Sequence, residues 1–135
     1  MCKKIIKTML LITFAICSLM SQTIAIKPTG SGIESNPYLI SNLAHLRWMS
    51  EHSEEWWIDL NTRVHFLQTA NIDATETIYW NEGSGFRPIG HAMIIHGNLY
   101  NRFIGEYDGG DNVISNLSIN STFYPDTRWT TASLF

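Results

Sequence analysis

Between residues 103 and 120 the apolar positions alternate and then lose step. Phe103, Gly105 and Tyr107 keep a two-residue period, the cluster Asp108, Gly109, Gly110, Asp111 and Asn112 breaks it, and Val113, Ile114, Leu117 and Ile119 resume an apolar run. The pattern predicts strand, turn, strand. Ile114 and Leu117 stand three apart, so both face one core only if the chain turns a corner near Ser115 and Asn116. Short strands joined at corners predict a β-solenoid rung, whose backbone N–H and C=O groups point along the axis toward neighbouring rungs.

Upstream, Tyr38-Leu39-Ile40 after Pro37 predicts a first short strand. Ser41 or Asn42 can cap a helix, and Leu43, Leu46 and Met49 form an apolar stripe running to about His52. This amphipathic helix is expected to act as a lid, closing the open edge of the first rung. Residues 64–68 and 72–74 predict further strands, 76–85 a loop containing Trp80, and 86–90 a strand ending at a glycine. Residues 91–102 interrupt the pattern as a packed excursion or small hairpin with a tight turn at Gly97-Asn98. The chain closes on Ala132, Ser133, Leu134 and Phe135, the start of a strand whose edge invites pairing.

The motif F-x-G-x-Y-D-G followed by I-x-N-L-x-I, carried by FIGEYDGGDNVISNLSIN, resembles the repeat unit of bacterial secreted proteins with the GLUG motif. Such repeats also occur beside a family of immunoglobulin A peptidases. GSGIESNPYLISNLAHLRWMSE, FLQTANIDAT and FRPIG are similar to three upstream segments of the same family and stand in the family's order. The resemblance implies a mainly β chain: a short, incomplete right-handed parallel β-helix, or β-solenoid, with an N-terminal amphipathic capping helix. It implies a non-catalytic module of a surface or secreted repeat protein, working in adhesion or display. The Gly-Leu-Phe-Gly signature itself is due where the sequence reads Ala132-Ser133-Leu134-Phe135. The expectation is therefore a truncated array whose partners include downstream repeats of the same chain.

Composition narrows the class. With 44% hydrophobic and 16% charged residues over 135 positions, the chain is neither disordered nor membrane-spanning in bulk, and one domain is the most it holds. Lys3, Lys4 and Lys7 precede an apolar run over residues 9–20, and Thr23-Ile24-Ala25 supplies small residues at the positions a signal peptidase requires. Residues 1–25 therefore predict a signal peptide cut between Ala25 and Ile26, leaving 26–135 as the exported module with no transmembrane span. Cutting there leaves six basic side chains against twelve acidic ones, a net charge of −6, which argues against a nucleic-acid partner. Both cysteines, Cys2 and Cys17, lie in the leader, so the exported part has no disulfide. The bulky Ile16 before Cys17 argues against lipoprotein acylation.

Candidate chemistry is sparse. Trp56 and Trp57, among Glu51, Glu54, Glu55 and Asp59, are either packed indoles or a sugar-stacking platform for an extracellular glycan, with Trp80 a third candidate. The five histidines are scattered and no H-E-x-x-H occurs, so the zinc site of the peptidases has no counterpart; no metal and no cofactor are expected. His45 and His52, with Glu55 three residues on, fit a solvated helix face better than a metal site. Asp108 and Asp111 belong to the turn. Asp73, Asp108 and Asp111 are the carboxylates for an alternative reading as a carbohydrate-binding or lyase- or glycosidase-like β-helix protein.

Overall fold

The computed structural model describes residues 22–59, 61–90, 93–95, 98–100, 103–120 and 134. Strand β1 (Tyr38–Ile40) leads into helix α1 (Leu43–Glu51) and the short helix α2 (Ser53–Trp56). Strands β2 (His65–Gln68) and β3 (Ile72–Asp73) follow, then two 3-10 turns at Thr75–Tyr79 and Asn81–Gly83. A hairpin of β4 (Met93–Ile95) and β5 (Asn98–Tyr100) precedes β6 (Glu106–Asp108) and β7 (Ile114–Ser115).

One sheet has the parallel order β1–β2–β6, aligning Tyr38 with Phe66 and Phe66 with Tyr107. A separate sheet pairs β3 with β7, also in parallel, Ile72 beside Ile114. The third pairing is the antiparallel β4–β5 hairpin, where Ile95 faces Asn98.

Local chemistry accounts for the helix. The Asn42 side chain accepts the His45 backbone N–H at 3.0 Å, satisfying one of the orphan donors of the first turn. Leu43, Ala44, Leu46, Trp48 and Met49 are buried, a wider face than the three-residue stripe alone marks. Trp56 turns back from α2, donates its indole N–H to the Met49 carbonyl at 2.8 Å and meets Phe66 edge-on at 5.8 Å between ring centres. Tyr38 bridges Phe66 at 5.6 Å and Trp48 at 5.2 Å, so β1, β2, α1 and α2 share one aromatic core. Each such side chain contributes roughly 1.5–3 kcal/mol by leaving water.

This arrangement corrects the predicted incomplete β-solenoid with a capping helix. Apart from the β4–β5 hairpin the strands lie in two small parallel sheets, one of three strands and one of two, and no closed or solenoid sheet forms among the described residues. The fold is small and mixed α/β. The physical reason is α1: after β1 the chain spends its next apolar positions on a helix, so β1 has no successor in the β3–β7 sheet. Nor is α1 an outer lid, since its buried face belongs to the same hydrophobic cluster as Tyr38 and Ile40 of β1 and Phe66 of β2. Residues 86–90 likewise form no strand; Phe86 and Ile89 are buried, their N–H groups donating to Ser118 and Leu134 carbonyls. The expected hairpin is present, with His96 and Gly97 of its turn outside the described residues.

The two corners are where the sequence broke its period. Asn116 adopts φ 58° and Asp111 φ 61°, conformations that asparagine and aspartate tolerate better than most residues. Asn112 ties the second corner down, donating through Nδ2 to the Gln68 carbonyl at 3.0 Å. The buried Gln68 side chain accepts the Tyr107 hydroxyl at 3.0 Å, and burial pushes the Tyr107 phenol up to about 12. Gly30 is obligatory for closeness: a Cβ there would stand 2.0 Å from the Pro37 carbonyl oxygen, at φ +114°.

His45 adds a pH dependence. Burial pushes its imidazole below the ordinary 6.5, partly offset by a hydrogen bond with the Leu39 backbone, while Nδ1 accepts the Ser41 N–H at 3.3 Å. The folded chain thus prefers the neutral ring, and this contribution is complete above 6.5 and lost as pH falls through the depressed value. Thermal melts between pH 7.5 and 5 should show Tm falling, less steeply in His45→Gln; parallel curves would contradict it. Hydrogen bonds hold Glu55 and Asp73 below their ordinary 4.5 and 3.8, so their contributions are lost only at more acid pH.

Candidate ligand-binding groove

The tryptophans sort themselves by burial. Trp56 is 2% exposed and Trp80 1%, so neither offers a face to a sugar ring. Trp57 is half-buried, and its indole N–H meets no acceptor among the described residues. Among the described residues the exposed aromatic is Tyr79, at 63%. In the turn Thr75–Tyr79, Thr77 and Trp80, three apart, are both buried, which leaves Ile78 and Tyr79 facing out. That three-residue spacing is visible in the sequence once a 3-10 turn is assumed; a loop assignment hides it.

Beside Tyr79 an open groove of about 400 Å³ is lined by Leu43 of α1, by Asp73, Thr75, Glu76 and Trp80, and by Gln22 and Thr23 of the N-terminal segment. A connected set of charges runs from Glu76 of its wall to Arg47 and Glu51 beside it. Glu76 Oε1 accepts the Trp80 indole N–H at 3.1 Å and the Thr23 backbone N–H at 3.0 Å. Arg47 lies 4.4 Å above the Trp80 ring and donates through Nε to Glu51 at 2.7 Å. Asp73 is occupied structurally, accepting the Thr75 N–H at 3.0 Å and Asn116 Nδ2 at 3.2 Å, and these bonds hold its carboxyl below the usual range.

Asp108 caps its own turn, taking the Gly110 N–H at 2.9 Å. The three aspartates of the enzyme reading thus do not come together as one hydrogen-bonded set: Asp73 is tied to the Asn116 corner and Asp108 to the glycine turn. His52, Glu54 and Glu55 do converge, their ligand atoms within 4.8 Å of one another. Glu55 is already engaged there by Lys27 at 2.8 Å and by the Trp48 indole N–H at 3.2 Å, bonds that hold its carboxyl below the usual range. The cluster is an exposed ion-pair network. His91, His96, residues 1–21 and the residues Ala132, Ser133 and Phe135 lie outside the described residues.

No protein-family model matches the chain, and no solved structure matches it. Among curated proteins it is similar to Halomucin of Haloquadratum walsbyi, 36% identical over 92 residues, 68% of this chain. The chain spans about 1% of the length of that relative. Among the described residues no helix is long and apolar enough to cross a membrane.

Proposed function

We propose that this chain is a non-catalytic module, exported through a signal peptide over residues 1–25, that works in adhesion or display at a bacterial surface or in the medium. The observation that carries the reading is the match to Halomucin: 92 residues of similar sequence that make up 1% of a much longer chain, as a module does. The GLUG-type motifs support export on the same footing. The carbohydrate-binding alternative loses Trp56 and Trp80 as platforms and keeps Tyr79 as its exposed aromatic.

Expression of the full reading frame in a bacterial host, followed by fractionation and protease treatment of intact cells, tests this. The chain should appear in the medium or be digested from the surface. Full-length protein confined to the cytosol, with its leader attached, overturns the proposal.

A further inference from the structure

Residues 22–25 precede the expected cut after Ala25, yet Gln22 and Thr23 are built into the wall of the groove. The Thr23 N–H donates to Glu76 Oε1 at 3.0 Å, and the Thr23 carbonyl accepts from Arg47 Nη1 at 2.6 Å. Arg47 Nη1 also reaches Gln22 Oε1 at 3.4 Å, and Ala25 packs against the core. An N–H and a C=O of one residue, both presented to one wall, are what an extended strand offers its neighbour.

The gripping pair is held from behind, independently of that segment. Glu51 and the Trp80 ring fix the Arg47 guanidinium, and the Trp80 indole N–H fixes Glu76. Removing residues 22–25 therefore leaves a donor and an acceptor already placed, each short of one partner. A preset pair binds a ligand without the ordering cost a mobile one carries.

We propose that in the processed chain this groove binds an extended peptide segment of a partner protein, taking the N–H of one residue on Glu76 and its C=O on Arg47. The last residues of the leader hold the place until they are cut away. An acetamido sugar also carries an amide donor and acceptor, but in a trans amide the two point in opposite directions, and one wall does not receive both. The inference rests on the export reading above and gives its adhesive surface a site and a ligand class.

The test uses protein secreted from the full reading frame, with intact mass locating its N-terminus at Ile26. The probe is the peptide acetyl-Ser-Gln-Thr-Ile-Ala-amide, which reproduces residues 21–25, followed by calorimetry. The processed chain should bind it. Methylating the threonine nitrogen of the probe, which leaves the protein untouched, should weaken binding about tenfold, as should Arg47→Lys, because each removes a charge-assisted hydrogen bond. Absence of binding, equal affinity for the methylated probe, or a secreted chain that retains residues 22–25 overturns the inference and leaves export standing. A chain kept in the cytosol with its leader sinks both.

Discussion

Trp56→Ala will strongly lower the stability of the chain, while Trp57→Phe will leave it as stable as before or slightly more so. Trp56 is among the largest fully buried side chains, and truncating such a group costs about 3–5 kcal/mol in transfer and cavity terms. The substitution also removes the indole bond to Met49 and the edge contacts with Phe66 and Phe103. Total stabilities of small domains are only about 5–15 kcal/mol, so one such loss removes a large share of the total. At Trp57 the indole N–H is buried without an acceptor among the described residues, and phenylalanine removes that donor while keeping most of the apolar surface. Urea denaturation followed by circular dichroism measures both. A Trp56→Ala midpoint close to wild type would falsify the packing described here. The pair also bears on function: a double Trp56/Trp57 alanine variant that loses a ligand does so by unfolding, and Tyr79→Ala is the substitution that tests a stacking surface.

Leu46→Asp will abolish folding outright, with strand and helix signals lost together. Leu46 is fully buried on α1, and an unpaired carboxylate there costs several kcal/mol beyond the lost packing. An outer lid would behave differently, since its loss would leave parallel strands paired beneath it. Because the buried face of α1 shares one core with β1 and β2, no such remnant should survive. Ile78→Asp, on the exposed side of its 3-10 turn, is the matched control and should change stability by less than about 0.5 kcal/mol. Far-ultraviolet dichroism and tryptophan fluorescence read both outcomes, and a soluble Leu46→Asp chain with native strand signal would contradict the mixed core.

Much of the local structure was legible. β1, the Asn42 cap, α1, the hairpin near residue 97, and the strand-turn-corner sequence over residues 106–116 all lie where period and turn residues put them. Such features depend on backbone preferences acting over a few positions. The resemblance to solenoid repeats carried the reading too far, because it turned parallel strands into continuous stacked sheets and set the helix outside them. Whether a stripe of Leu43, Leu46 and Met49 covers an end or enters a core depends on what faces it, and Trp48, Trp56 and Phe66 decide that from other elements.

By itself, then, the sequence determined an acidic composition and the places of β1, α1, the hairpin and the corners near residues 111 and 116. Tertiary structure alone decided that two separate sheets form, that Trp56 and Trp80 turn inward while Tyr79 stays out, and that Thr23 reaches Glu76 across 53 positions. The reason is range. Turn and helix preferences are settled by neighbours in the chain, whereas burial and distant hydrogen bonds are settled by which surfaces close upon each other, and no local pattern records that choice.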